Sequence, residues 1–380
     1  MSIISISKRI PDPRVTGRSI HKMEHIIYIT IAAVLGGAQS WYEIAEFGEA
    51  KIDFFKARLD GLESIPSHDT FNRFFSLFDP KSFEQIFREW VAEVLGDVKG
   101  VIAIDGKLMR RPSKCDAAHP TGVEDFRMWI VSAWSADNGF SLGQERVSEK
   151  SNEITAIPKL LDALDLSDTI VTIDAMGCQS AITKKIMERK GNYIIALKEN
   201  QRKSLEFVKE EISDSLSREN EWMSTRHYSV SEGHGRREER NCVAVSYGKV
   251  TERLFDKKFA GLQSYVGVVS KRTIVSTGET SEETRYYITS LGNENPEVIA
   301  DAIRKHWSIE NNLHWQLDFT FNEDESRKVK NAARNFSALT KMALSILKQD
   351  NTVKGSLKLK RLRAGWDEMY LDRLLLTCEV

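Results

Sequence analysis

The sequence predicts an α/β protein: a helical N-terminal domain, a mixed-sheet core with some parallel strands, and an inserted, mostly β subdomain. Three observations lead there. Residues 20–98 carry apolar side chains at helical spacing. Residues 99–200 alternate short apolar runs with helix patterns in the order βββαβαβ, which calls for parallel strands. Residues 201–292 begin with a charged helix and then break into short alternating stretches.

In the N-terminal part, Ile26, Ile29, Ala32, Val34 and Leu35 begin an apolar stripe, and Trp41, Ile44 and Phe47 extend it past Gly36 and Gly37. Ile65 to Thr70 reads as a helix entry, with Phe71, Phe74, Phe75, Leu77 and Phe78 supplying the apolar face. A further helix starts near Pro80 and runs through Phe83, Ile86, Phe87, Trp90, Val91, Val94 and Leu95. Strand signals follow at 100–104, 128–135 and 140–147, a helix at 152–165, a strand at 169–173, a helix at 178–189 and a strand at 192–197. Beyond a charged helix at about 201–218, the stretches at 242–247, 265–269 and 285–290 have strand character. Asn295, Pro296 and Glu297 combine an N-cap residue, a first-turn proline and a first-turn acid. That helix should run to about 316, and another covers 327–348. The expected units are 1–98 (helical accessory domain), 99–200 (first part of the core), 201–292 (β insertion), 293–350 (helical part of the core) and 351–380 (basic tail).

A chain of 380 residues exceeds what one core usually serves. The hydrophobic share of 41% and the lack of low-complexity tracts describe a globular protein. The N-terminal stretch has too short an apolar run for a signal or membrane segment, so a cytoplasmic protein without a membrane partner is expected. Cys115, Cys178, Cys242 and Cys378 are scattered without a CxxC, which speaks against a disulfide framework or a zinc knuckle. The formal net charge is -1, so nucleic-acid binding would rest on local patches. Such patches are Lys107 with Arg110, Arg111 and Lys114, and the tail residues Lys354, Lys358, Lys360, Arg361 and Arg363.

Three acids stand where catalytic carboxylates belong. Asp105 ends the run Val101, Ile102, Ala103, Ile104 and precedes Gly106; Asp174 ends Ile170, Val171, Thr172, Ile173 and precedes Ala175, Met176, Gly177. In α/β sheets, functional groups collect at the carboxyl ends of strands. Glu310 lies in a helix-like stretch far downstream. Three such carboxylates suit a pair of magnesium ions, about 3.5–4 Å apart, that shield a phosphodiester during transfer. Gly106 and Gly177 leave room for phosphate or backbone to approach. The competing reading makes each acid a solvated turn or helix residue.

His306, Glu310 and His314 are spaced i, i+4, i+8 and share one helical face. That face fits a catalytic surface, a transition-metal site, or polar residues satisfied by one another beside a core. His234, Arg236 and Arg240 in the β insertion can clamp phosphates or form an ordinary solvated hairpin. Lys198 follows the last core strand and can reach a phosphate from that edge. Cys178 reads as a packing residue, with a nucleophilic thiolate as the weaker alternative. Trp90, Trp129 and Trp134 read as core; Trp307 and Trp315 are placed to border a nucleic-acid cleft.

As an ordered set, the segments 61–71, 103–107, 173–179, 234–236 and 306–315 with Leu317 and Asp318 resemble the ISAs1-type insertion-sequence transposases, especially the proteins associated with the H repeats of Rhs elements. The resemblance covers nearly the whole chain. It implies an RNase H-like catalytic core, with Asp105, Asp174 and Glu310 as the DDE metal-binding triad and magnesium (or manganese) as the cofactor. It implies cleavage of double-stranded DNA at element ends and attack of a 3′-hydroxyl on target DNA. Lys107, Lys198, His234, Arg236, Arg240, His306, Asn311 and His314 are the candidate supporting or DNA-binding residues. Synapsis of two ends calls for a homodimer or synaptic oligomer. Where many transposases of this wider group carry a tyrosine, an arginine and a lysine around the glutamate, this chain has Ile303, His306 and Leu317. A metal-dependent endonuclease without strand transfer and an inactive DNA-binding regulator derived from a transposase are the competing functions.

Overall fold

The computed structural model describes residues 8, 11–15, 17, 19–109, 128–147, 152–217, 224–247 and 258–376. Arg110, Arg111, Lys114, Cys115 and Cys378 lie outside these residues.

The N-terminal helices are α1 (Met23–Leu35), α2 (Trp41–Ala50), α3 (Ile52–Lys56), α4 (His68–Leu77) and α5 (Pro80–Leu95). Their starts are fixed locally. Ser40 and Glu43 form a reciprocal capping box on α2. Ser67 caps α4, and Asp79 caps α5 ahead of Pro80. The buried faces carry Phe55, Phe71, Phe74, Phe75, Phe83, Phe87 and Trp90.

The core follows as β1 (Gly100–Met109), β2 (Met128–Ser135), β3 (Phe140–Arg146), α6 (Glu153–Asp162), β4 (Thr169–Ile173), α7 (Ser180–Glu188) and β5 (Asn192–Leu197). Strand β1 continues past Asp105, because Gly106 to Met109 pair with Val131 to Met128 of β2. Asp105 therefore lies inside a strand and not at its end, although its parallel neighbour β4 stops just there.

After α8 (Arg202–Ser217) come β6 (Ser224–Gly233), β7 (Arg236–Ser246), β8 (Ser264–Ile274) and β9 (Thr280–Thr289). These four strands continue the core sheet, which runs β3-β2-β1-β4-β5-β9-β8-β7-β6. Strands β1, β4 and β5 are parallel, and the remaining pairings are antiparallel. The inserted strands thus share the core's hydrogen-bond ladder through β5 and β9.

Helix α9 (Pro296–His306) packs Ile299, Ala302 and Ile303 against Val101, Ile194, Cys242 and Val266 on one face of the sheet. It ends ten residues earlier than the sequence suggests, in a π-helical turn (Glu310–His314) followed by α10 (Trp315–Phe319). Helix α11 (Lys330–Gln349) is buried along most of its length and joins the N-terminal helices to the core. Its Asn335 donates to the carbonyls of Phe75 and Phe78, 2.9 Å each, and Arg334 grips Glu84 of α5 at 2.8 Å. The basic C-terminal stretch folds into α12 (Leu357–Trp366) and α13 (Glu368–Leu376). Two of its cations are structural: Lys360 donates to the Leu347 carbonyl at 3.0 Å, and Arg361 donates to the Val34 carbonyl at 2.9 Å.

Candidate active site

Register brings the two aspartates together. Ile104 pairs with Ile173 across the parallel strands β1 and β4, so the next residues, Asp105 and Asp174, are neighbours. Side chains alternate along a strand, which places both acids on the side of Val101 and Thr172, under α9. Asp174 is extended (φ −68°, ψ 178°) and accepts from the Met176 N–H at 3.0 Å, so its carboxyl caps the short turn that follows. Asn200 and Gln201 brace that turn by donating to the carbonyls of Ala175 (2.6 Å) and Cys178 (2.7 Å). Glu310, at the first position of the π turn, is exposed, and its charge acts on Asp105.

Asp105 shows how crowded the pocket is. Burial, then the negative charges of Asp174, Glu153 and Glu310, push its pKa up to about 7, against a lowering hydrogen bond from the Gly106 N–H. Glu153, the first residue of α6, did not stand out in the sequence. It is half-buried, and its carboxylate lies against Gly106 from the opposite face of the sheet. A Cβ on Gly106 would meet its Oε1 at 2.1 Å, and one on Gly177 would meet the Ile173 Cγ2 at 2.3 Å. These glycines therefore make room for Glu153 and Ile173, and not for phosphate or backbone as the sequence reading has it. The clue to Glu153 was an acid at the entry of the helix that links β3 to β4; nothing local ties it to Asp105.

The two histidines face the same pocket. His306 Nδ1 is 3.0 Å from Thr172 Oγ1 on β4, and His314 Nδ1 is 3.4 Å from Asp105 Oδ2. Burial lowers the His306 pKa below its usual range, and burial followed by Lys341 and Lys107 takes His314 down to about 3. Both imidazoles are neutral at physiological pH. His306 is thus a brace between α9 and β4, without the positive charge needed to stand in for an arginine.

Lys107 is committed elsewhere. Its ammonium pairs with Asp318 and, at 2.9 Å, with Glu323. Glu323 also accepts from Ser337 at 2.8 Å, and Ser337 accepts from buried Lys341 at 2.8 Å. Lys198 is exposed just beyond β5. His234 (φ 51°) and Gly235 (φ 71°) make the left-handed two-residue turn of the β6–β7 hairpin, and Arg236 follows, exposed. Arg240 pairs with Glu238. Strands β4, β5, β9 and β8 separate this hairpin from β1, a span of about 24 Å at ~4.8 Å per strand. Between the extension and α9 lies a cleft of about 970 Å³, lined among others by Arg240, Arg285, Arg304, Trp307 and Asn311. Trp307 is 40% exposed with the Arg285 guanidinium 4.7 Å over its ring; Trp315, 53% exposed, stacks on Phe319.

Trp90 and Trp134 are core as expected, but Trp129 is 40% exposed, because it alternates outward on β2. Cys178 is fully buried, and burial raises its thiol to about 12, which removes it as a nucleophile. Ile303 and Leu317 are core residues. No described helix is long and apolar enough to cross a membrane.

A mixed sheet with antiparallel β1-β2-β3, parallel β1-β4-β5 and acids gathered where β4 ends is the architecture of an RNase H-like protein. The chain belongs to the DDE transposase family: it matches the family model "Transposase DDE domain" over residues 96–347 and its companion "DDE_Tnp_1-associated" over residues 5–91. It is 38% identical over 373 residues to "H repeat-associated putative transposase YhhI" of Escherichia coli K12, covering 96% of this chain and 95% of that protein. It is 38% identical over 384 residues to "Putative transposase YncI" of Escherichia coli O157:H7, covering 99% and 95%. Among solved structures it is similar, at TM-score 0.40 and 12% identity over 97% of this chain and 76% of the other, to a piggyBac transposase synaptic complex with hairpin DNA.

Proposed function

We propose that this chain is a divalent-cation-dependent DNA transposase, which hydrolyses phosphodiesters at element ends and then directs the freed 3′-hydroxyl onto target DNA. The observation that carries the reading is the in-register pair Asp105 and Asp174, with the Glu310 charge bearing on Asp105. Among the described residues, no three or more acid, histidine or cysteine side chains stand close enough together to hold a metal ion as they are placed. The donor set nevertheless fits a hard cation: all oxygen, mutually repelling, and without a lysine or arginine ion pair on Asp105, Asp174 or Glu310 among the described residues. The residues that would hold it are Asp105, Asp174 and Glu310, with magnesium as the cation and manganese as its substitute. A bound divalent cation supplies positive charge where the attacking and leaving oxygens of a phosphodiester become negative.

The protein's own groups do the rest. His306 ties the end of α9 to β4 through Thr172, which sets where Glu310 enters. Neutral His314 sits beside Asp105 without competing as a cation. The arginines and Trp307 of the adjoining cleft are suited to hold backbone and to stack on bases. Two protomers would hold two ends.

The test is a paired-end assay with full-length protein and Mg2+. Joined strand-transfer product supports transposition. Hydrolysis alone supports an endonuclease. DNA affinity that ignores Mg2+, with no cleavage, supports a regulator. Cleavage at the wild-type rate by Asp105→Asn would remove Asp105 from the reaction.

A further inference from the structure

The geometry points to Glu153 as a fourth carboxylate of the cation pocket, admitted from the opposite face of the sheet through the gap left by Gly106. This rests on the carboxylate-pocket reading above and extends it to a residue that the DDE triad does not contain.

Asp105 and Asp174 point to the α9 side, as do Val101 and Thr172. Gly106 is one residue further along β1, so any side chain there would point to the other side, where α6 packs. Beside Gly106, strand β4 has ended, since Ile173 is its last residue. A carboxylate lying against Gly106 can therefore pass around the strand end toward Asp105 and Asp174. Glu153 occupies that place: its Oε1 is 2.1 Å, and its Cδ 2.4 Å, from where a Gly106 Cβ would be. The cradle exists only because residue 106 is glycine.

The chemistry agrees with the placement. Glu153 is the first residue of α6, where the helix dipole favours a negative charge. Burial and the Asp174 charge nevertheless raise its pKa above the ordinary value. Among the described residues, Glu153 lacks the lysine or arginine ion pair that an acid serving only to hold the fold would have. His314, whose Nδ1 is 3.4 Å from Asp105 Oδ2, brings no positive charge to offset these acids. Four carboxylates without a lysine or arginine partner describe a pocket finished by something positive and oxygen-seeking, and Glu153 supplies one of its donors.

The experiment is a Mn2+ titration of full-length protein without DNA, read by calorimetry and by the EPR signal of free Mn2+. Glu153→Gln keeps the shape and removes the charge; it should weaken Mn2+ binding at least ~10-fold, the effect expected of a ligand or its close support. Gly106→Ala should weaken it comparably, because the new Cβ displaces the Glu153 carboxylate. Glu188→Gln, at an exposed position on α7, should leave binding unchanged. If Asp105→Asn abolishes binding while Glu153→Gln loses less than ~10-fold, Glu153 is outside the pocket and the inference is overturned. If Asp105→Asn also binds as wild type, the pocket reading itself falls. Anomalous diffraction from Mn2+-soaked wild-type crystals decides the matter should a variant misfold. A manganese peak at ligand distance from Glu153 supports the proposal; one held by Asp105 and Asp174 with Glu153 apart overturns it.

Discussion

A chelated protein should be more stable without its central carboxylate. Folding carries the Asp105 pKa from 3.8 up to about 7. A carboxyl raised on folding favours the folded state only while it is protonated. The sign follows: the penalty is absent below the unfolded pKa of 3.8, grows as pH rises toward about 7, and is complete above it. At ~1.4 kcal/mol per pH unit, a shift of about three units is worth about 4 kcal/mol. The side chain is 21% exposed, so solvent trims this toward ~2–3 kcal/mol. Asp105→Asn should therefore raise the denaturation midpoint in EDTA at pH 8 and change it little at pH 4. Saturating Mg2+ should then stabilise the wild type by ~2.7 kcal/mol at a hundredfold excess over Kd, and the variant far less. Equal stability of the two proteins at pH 8 in EDTA would refute the crowding on which the site is built.

Two further predictions concern charges that the fold pairs away from solvent. Lys107→Ala strands Glu323, whose carboxyl Lys107 and Lys341 hold down at about 2 against the effect of burial. It should cost ~3–5 kcal/mol in a denaturant melt, while the salt slope of DNA binding changes by less than the ~0.9 of one lost phosphate contact. In the wild type this contribution is present above about pH 4.5 and lost as pH falls toward about 2, so the variant should lack that acid transition. Arg334→Ala leaves Glu84 buried without the guanidinium that binds both its oxygens at 2.8 Å, and should destabilise by ~3–5 kcal/mol. Hydrogen exchange should show α5 loosening first, because that pair joins the N-terminal helices to α11.

Local signals were enough for much of this fold. Ser67 and Asp79 cap the helices whose starts the sequence marks, and the runs at 169–173 and 192–197 are strands β4 and β5. Asp105 and Asp174 were legible because apolar strands run into them. What stayed hidden depends on pairing between distant residues. Gly106 to Met109 lack an apolar run, yet β2 supplies their ladder and lengthens β1. Lys341, Ser337 and Asn335 are polar but buried on α11, since their partners come from β3 and α4 and the loop that follows α4. Trp129 reads as core by type, but its position on β2 turns it outward. Glu153 stayed hidden because only the packing of α6 on the sheet brings its carboxylate to Gly106.

The π turn at Glu310 explains how His306 and His314 reach the same pocket. In an α-helix of 3.6 residues per turn, residues four apart drift by ~40°, so two such steps would swing His314 ~80° from His306. The wider π turn takes up that drift where Glu310 begins it. As a result His306 meets Thr172 on β4 while His314 meets Asp105 on the next strand, β1. A π turn accommodates one extra residue, so deleting exposed Asn311 should restore α-helical winding and leave Leu313 and Leu317 in the core. The deletion variant should keep its far-UV spectrum and melt within a few degrees of wild type, yet lose Mn2+ affinity as Glu310 rotates away. Unchanged Mn2+ binding in a folded deletion variant would mean that the π turn has no part in aiming Glu310, and that the acid's approach to Asp105 is set by α9 alone.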